Sequence, residues 1–101
     1  MTIVIKIGGA ALEDVGTLRK CAKAIAELAQ DGHRVVVVHG GGSALTRVLK
    51  QLGKQSEFVG GLRVTDAETR DVALMVLGGM VNKKVVAAIQ AAGMQIGRAH
   101  V

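Results

Sequence analysis

The middle of the chain reads RVVVVHGGG, from Arg34 to Gly42. Four consecutive valines favour a strand, and the unbroken apolar run predicts a strand that is buried on both faces, as in a parallel sheet. The glycines that follow allow the backbone to come close to a ligand oxygen. The stretch therefore predicts an α/β fold with a ligand-binding turn after a strand.

A similar unit opens the chain. The β-branched run Thr2–Ile7 predicts a buried strand, and it also ends in a pair of glycines, Gly8 and Gly9. Between the two strands, apolar residues at helical spacing predict a helix that begins at Val15 and ends before Gly32. A strand, a helix and a second strand in this order predict parallel strands joined by a right-handed crossover.

The second half of the chain predicts a helix, a hairpin and a long helix. Ser43 is the expected N-cap of the first helix, and Gly53 closes it. Two short strands around Gly60-Gly61 form the predicted hairpin. The capping-box pattern Thr65–Glu68 predicts the start of the long helix, which Gly78-Gly79 weakens and which resumes to Ala92.

Composition excludes several classes of protein. The 101 residues carry 13 basic and 8 acidic side chains, a net charge of +5, but the basic residues are scattered, and Phe58 is the single aromatic residue. We therefore expect no nucleic-acid partner, since base-stacking platforms need aromatic side chains. No uncharged run reaches the ~18 residues of a membrane span, and the amino terminus does not resemble a signal peptide, so we expect no membrane. The single cysteine is typical of a reduced, cytoplasmic chain.

Lys6 stands among apolar neighbours in the first predicted strand. If that strand is buried on both faces, an unpaired ammonium there is costly, and an anionic partner is expected. We favour a ligand-binding lysine over a structural lysine that reaches solvent at the strand end.

Two further residues are candidates for chemistry. Arg63 follows the hairpin glycines, and its guanidinium suits a carboxylate ligand, although a surface role is equally compatible with the sequence. His39 is either a general base or a strand-end residue whose ring is bonded to the backbone, and we favour the second interpretation. Cys21, His33 and His39 do not have the spacing of zinc ligands, so no metal site is predicted. Neither glycine cluster matches the dinucleotide fingerprint or the phosphate loop of Walker-type enzymes.

Three motifs in order resemble a known family. They are VIKIGG (residues 4–9), VVHGGG (residues 37–42) and GLRVTD (residues 61–66). In this order they resemble the N-acetylglutamate kinases, which belong to the amino acid kinase family. The resemblance implies a three-layer α/β/α sandwich with a mainly parallel sheet, of which this chain would form an incomplete amino-terminal portion.

The resemblance also implies an activity and roles for individual residues. The family transfers the γ-phosphoryl group of ATP, with Mg²⁺, to the side-chain carboxylate of N-acetyl-L-glutamate in arginine biosynthesis. The full-length enzyme is expected to be a cytoplasmic homo-oligomer. By resemblance, Lys6 stabilises the transition state, Gly8 and Gly9 donate N–H groups to the transferring phosphate, Gly41 and Gly42 contact the acylated amino acid, and Arg63 holds its α-carboxylate.

Two alternatives stay open at the level of sequence. One is a related kinase that acts on an aminoadipate or glutamate linked to a carrier protein. The other is a non-catalytic amino-acid-sensing domain of the same fold, against which Lys6 argues, because a sensor does not need an ammonium group beside a phosphate loop.

The end of the chain departs from the family. In the family, most of the nucleotide site, a second catalytic lysine and an organising aspartate lie further downstream, so we expect the chain alone to be inactive. The last six residues, IGRAHV, are the translation of ATCGGAAGAGCACACGTC, part of a common sequencing adapter. We therefore expect residues 1–95 to be the native acyl-amino-acid-binding part and residues 96–101 to be adapter read-through, with a native strand from Met94 as the alternative.

Overall fold

A computed structural model describes residues 1–94 of the chain. The predicted boundary at residue 95, the tail 96–101 and a strand from Met94 into that tail lie outside these described residues. In chain order the elements are β1 (Thr2–Ile7), α1 (Gly9–Glu13), α2 (Val15–Gln30), β2 (Arg34–His39), α3 (Gly42–Gln51), β3 (Phe58–Val59), β4 (Leu62–Arg63), α4 (Ala67–Ala73), a π-helical segment (Leu74–Val81) and α5 (Asn82–Ala91).

The two long strands form the predicted parallel pair. β1 and β2 run side by side, with Lys6 opposite Val38 and Ile7 opposite His39 in register. The glycine turns that follow them, which begin at Gly8 and Gly40, therefore leave the sheet at the same edge. This register brings the two predicted ligand turns together.

The predicted burial of both sheet faces is wrong for the described part of the chain. One face packs into the core through Ile5, Ile7, Val35 and Val37. The other face is open: Val4, Val36 and Val38 are 66%, 50% and 48% exposed. The α/β class is confirmed, but residues 1–94 place helices against one face of this sheet only, so they form two of the three expected layers.

The core lies between the sheet and its helices. Leu49 of α3 is 1% exposed, and Thr69 is the polar side chain buried with the apolar ones. The buried apolar cluster contains residues from every long helix, namely Ile7, Leu12, Leu18, Ala22, Ile25, Ala44, Leu45, Leu49, Val72, Val76, Val81, Val85 and Ile89. In α2 the buried residues are three and four positions apart, the amphipathic pattern that the sequence predicted. From Val72 to Ile89 they are four apart except for the step of five from Val76 to Val81, which lies in the π-helical segment.

Both predicted N-caps shift by one or two residues. Helix α3 is capped by Gly41, whose φ of 147° is open to glycine, so Ser43 already lies inside the helix. At α4 the cap is Asp66, one residue after the Thr65 that the capping-box pattern predicted, and its carboxylate accepts the N–H of Thr69 at 2.8 Å. Asp66 thus satisfies one of the first N–H groups of α4, whereas the Gly41 cap leaves the first N–H groups of α3 without a side-chain partner.

The long helix weakens where the sequence predicted. Its central segment, Leu74–Val81, widens into a π-helix that contains Gly78-Gly79. These glycines lower the preference for α-helical geometry, and π-helical turns are frequent near functional sites.

The stretch Ala67–Ala91 is long and apolar enough to cross a membrane by length and composition alone. Core helices of soluble proteins pass the same test. Five residues of this stretch, Val72, Val76, Val81, Val85 and Ile89, lie in the core cluster.

Asp66 joins the hairpin region to α4. Its carboxylate accepts a hydrogen bond from Lys54 Nζ at 2.5 Å and caps Thr69. The Lys54 ammonium is the main cause that holds the pKa of Asp66 far below its ordinary value of 3.8, and the Thr69 hydrogen bonds add to it.

Asp66→Asn tests this ion pair. Because the folded-state pKa is lowered, the Asp66 carboxylate stabilises the fold above pH 3.8, and this contribution is lost as the pH falls toward the folded-state pKa. Asparagine remains a good N-cap, so the substitution removes mainly the charge. We expect Asp66→Asn to lower the urea midpoint of the full-length gene product at pH 7. Below pH 4, the difference in urea midpoint between the variant and the parent should become smaller. Asp71→Asn, at an exposed position, is the matched control. A difference in urea midpoint between Asp66→Asn and the parent that is equal at pH 7 and below pH 4 would contradict the prediction.

Candidate functional site

Two glycine turns meet at the carboxyl edge of the parallel pair. Gly8 has extended backbone and caps α1, and a Cβ added at Gly9 would lie 4.0 Å from Ser43 Oγ in the first turn of α3. The turns after β1 and β2 are therefore in contact range of each other. Each continues into the amino terminus of a helix, where backbone N–H groups are open to an anion.

Gly41 is the sterically constrained position of the second turn. Its φ is 147°, and a Cβ there would lie 2.6 Å from Leu77 Cδ2 and 3.1 Å from Val81 Cγ2. The π-helical segment thus packs directly on the turn. Gly40, in contrast, has open space around it.

Lys6 is exposed, which corrects the reason given for it by the sequence. The argument from burial assumed a strand covered on both sides, whereas Lys6 lies on the open face of β1, where its register partner is Val38. Its ammonium therefore has no burial cost to offset. Within the described part of the chain it makes no hydrogen bond or ion pair, so it is accessible to an anionic ligand two residues before the glycine turn.

Arg63 is held against the second glycine turn. The hairpin of β3 and β4 reverses at Gly60 and Gly61, whose φ values are 58° and 79°, and it pairs Phe58 with Arg63. The predicted hairpin is thus confirmed. Its reversal aims the Arg63 side chain at the amino terminus of α3.

Three polar groups and one ring fix the guanidinium. Nη2 donates to the Gly42 carbonyl at 3.2 Å and to Thr46 Oγ1 at 3.0 Å, and Nη1 donates to Ser56 Oγ at 2.8 Å. The guanidinium carbon lies 4.7 Å from the centre of the Phe58 ring. These contacts leave Nε–H and one Nη1 hydrogen available for a ligand.

A cleft of about 550 Å³ opens at this arginine. Its volume lies within the range of small-molecule sites. Its cations are Arg47, Lys50 and Arg63, and Arg47 pairs with Glu13 of α1 at 3.4 Å. The remaining lining residues are Gly42, Ser43, Thr46 and Phe58. The excess of positive charge favours an anionic ligand.

His39 is engaged by both ring nitrogens. Nδ1 lies 2.9 Å from the Gly40 carbonyl, to which it donates, and Nε2 accepts from Asn82 Nδ2 at 3.1 Å. This arrangement suits a neutral ring that ties the glycine turn to the start of α5. It agrees with the structural interpretation of His39 rather than with a general base.

Several residues of this site were missed by the sequence. Thr46 lies one turn after Gly42, so helical spacing could have found it. Ser56, Asn82 and Lys84 carry no local signal, because their partners lie at distant positions in the chain. Lys84 Nζ donates to the Leu12 carbonyl at 2.6 Å, 72 positions away.

Among residues 1–94, no three His, Cys, Asp or Glu side chains gather into a group that could hold a metal ion. Mg²⁺ in kinase sites keeps several waters and binds through substrate phosphates and one or two carboxylates, so a site for it does not require such a group.

Comparison with known proteins identifies relatives of the chain. The model of the amino acid kinase family matches residues 1–99. The acetylglutamate kinase of Acidobacterium capsulatum is 64% identical over 93 residues, which are 92% of this chain and 36% of that enzyme. The acetylglutamate kinase of Koribacter versatilis is 61% identical over the same shares of the two chains. The chain thus spans about a third of the length of these curated relatives.

Solved structures share the fold. The crystal structure of smu.665 from Streptococcus mutans superposes with a TM-score of 0.81 at 28% identity, over 98% of this chain and 40% of that one. An N-acetylglutamate synthase from Neisseria gonorrhoeae, solved with coenzyme A and N-acetyl-glutamate, gives a TM-score of 0.73 at 34% identity, over 91% of this chain and 21% of that one.

Proposed function

Because the chain belongs to the amino acid kinase family, we propose that it supplies the amino-terminal part of an acetylglutamate kinase. The proposed reaction transfers the γ-phosphoryl group of ATP to the side-chain carboxylate of N-acetyl-L-glutamate. The relatives at 64% and 61% identity support this substrate over the carrier-linked and sensory alternatives. A cytoplasmic location and a homo-oligomeric full-length enzyme belong to the same proposal.

One observation carries the proposal at the level of geometry. The Arg63 guanidinium lies 3.2 Å from the Gly42 carbonyl, so the hairpin arginine and the second glycine turn share one basic cleft. The proposed ligand, N-acetylglutamate, brings carboxylates that the free Nε–H and Nη1–H donors of Arg63 can bind by charge-assisted hydrogen bonds. Its acetyl-amide end would lie against the glycine turn, where the absence of side chains allows close approach.

The proposed chemistry needs no general base. A carboxylate with a pKa near ~4.3 is already ionised at neutral pH and attacks directly. The task of the protein is then to position the reactants and to balance charge on the transferring group. In this proposal Lys6 supplies an ammonium at the end of β1, and Gly8 and Gly9 supply N–H donors at the start of α1.

Arg63→Lys tests the substrate assignment. Lysine keeps the charge but loses the planar fork, so we expect the KM of the full-length gene product for acetylglutamate to rise about 10- to 100-fold. The KM for ATP should change little, because Arg63 belongs to the acceptor cleft. Steady-state kinetics with each substrate varied in turn measure both values.

Arg70→Lys is the matched control, since Arg70 is exposed on α4 and pairs only with its neighbour Asp71 among the described residues. A KM for acetylglutamate that is equal in the Arg63→Lys and Arg70→Lys proteins would refute the assignment of Arg63. Absence of phosphoryl transfer by the parent protein would refute the proposed function as a whole.

A further inference from the structure

A long-range hydrogen bond ties α5 to the first glycine turn. Lys84 lies in the first turn of α5, and its Nζ donates to the main-chain carbonyl of Leu12 at 2.6 Å in a part-buried contact. Leu12 itself is 3% exposed and belongs to the core. The bond therefore ends on a rigid point of α1, directly after the turn that contains Gly8 and Gly9.

Helix α1 needs a contact of this kind to hold it in place. It has five residues, its Gly8 cap offers no side-chain hydrogen bond, and no basic residue lies in its last turn. A helix this short is unstable on its own, and its last carbonyls lack partners within the helix. Lys84 supplies both a donor and the positive charge that a helix carboxyl terminus favours.

The second side-chain tie of α1 is weaker. Glu13 pairs with Arg47 at 3.4 Å, and the two side chains are 41% and 51% exposed. Exposed pairs of this kind contribute little to holding a segment in place. Lys84 is also an exposed residue, but its contact is the shorter one, at 2.6 Å against 3.4 Å, and it ends on a main-chain atom of α1.

The same end of α5 also holds the second glycine turn. Asn82 donates to His39, whose ring donates to the Gly40 carbonyl. Two residues on one helix turn thus reach the segments that follow β1 and β2. Because both contacts come from one rigid element, α5 sets the spacing between the two turns.

We infer that Lys84 is a positioning residue for phosphoryl transfer, which holds α1 so that the N–H groups of Gly8 and Gly9 meet the transferring phosphate. The inference rests on the proposed function, since it assigns Lys84 to the phosphate turn of that reaction. Lys84 does not touch the ligand in this account. It acts by fixing donors whose displacement by about 1 Å is costly for the transition state.

The test compares three variants of the full-length gene product. Lys84→Met removes the donor, Lys84→Arg keeps it, and Lys83→Met changes an exposed neighbouring lysine that makes no hydrogen bond or ion pair within residues 1–94. We expect Lys84→Met to lower kcat about 10- to 100-fold with an unchanged KM for acetylglutamate, since the acceptor cleft lies at α3. Lys84→Arg should restore most of the kcat, and Lys83→Met should match the parent.

Hydrogen exchange of the amides in residues 9–13 gives a readout that does not depend on activity. We expect faster exchange there in Lys84→Met than in Lys83→Met, while the core amides of α2 stay unchanged. Equal kcat values for Lys84→Met and Lys83→Met would overturn the inference, and so would a loss of kcat that Lys84→Arg does not restore. If the parent is inactive on acetylglutamate, the proposed function has failed, and hydrogen exchange still tests the restraint. Faster exchange in Lys84→Met would then show that Lys84 restrains α1. Equal exchange in Lys84→Met and Lys83→Met would show that it does not.

Discussion

Lys6→Met is expected to lower the kcat of the full-length gene product about 10²- to 10³-fold while leaving the affinity for acetylglutamate unchanged. Lys6 lies at the carboxyl end of β1, opposite Val38, and two residues before the turn that begins at Gly8. In the proposed reaction its ammonium meets charge that develops on the transferring phosphoryl group. A group that acts on the transition state alone changes kcat without changing substrate binding.

A thermal melt of the variant separates a loss of stability from a loss of catalysis. Methionine has a similar length to lysine, so the substitution removes mainly the charge. Lys23→Met, on the exposed side of α2, is the control for the loss of one surface charge. Calorimetric titration with acetylglutamate measures binding separately from turnover. A Lys6→Met protein that turns over within a few-fold of the parent would remove Lys6 from the catalytic assignment.

Gly41→Ala is expected to destabilise the protein by about 2–4 kcal/mol. The added methyl group would force a φ of 147° on a residue with a side chain, and it would lie 2.6 Å from Leu77 Cδ2 and 3.1 Å from Val81 Cγ2. Leu77 can move its side-chain end, but Val81 is β-branched and stiff. The turn must therefore shift away from the π-helical segment, and the acceptor cleft shifts with it.

Gly40→Ala is the matched control for this prediction. A Cβ at Gly40 meets nothing within 4 Å, and its φ lies outside the region that favours glycine. We expect a change of less than about 1 kcal/mol there. Urea denaturation of the two variants measures the difference, and equal midpoints would show that the packing of Leu77 and Val81 on Gly41 does not restrain the turn. The KM for acetylglutamate should rise in Gly41→Ala alone.

Much of the local structure followed from the sequence. The strands Thr2–Ile7 and Arg34–His39, the glycine hairpin and the weak point at Gly78-Gly79 were all predicted, because each depends on residues within a few positions of one another. Helix starts were less well predicted. The N-cap residues of α3 and α4 are Gly41 and Asp66 rather than the expected Ser43 and Thr65.

The sequence also predicted only part of the candidate site. The sequence pointed to Lys6, to the glycine turns and to Arg63, because their residue types suit anionic ligands. However, it explained Lys6 by a burial that β1 does not have. The sequence did not distinguish a ligand-binding role from a surface role for Arg63. The position of its guanidinium beside Gly42 favours the ligand-binding role.

By itself, the sequence determined the order of the long strands and helices and the glycine turn at the end of each long strand, since hydrophobic period and backbone freedom are local properties. It did not predict the short helix α1. Tertiary structure alone decided which face of the sheet is covered, that Gly41 lies under the π-helical segment, and that Asn82 and Lys84 reach the two turns. These contacts join residues up to 72 positions apart. Such pairings depend on how whole elements pack, and no local pattern of residues encodes them.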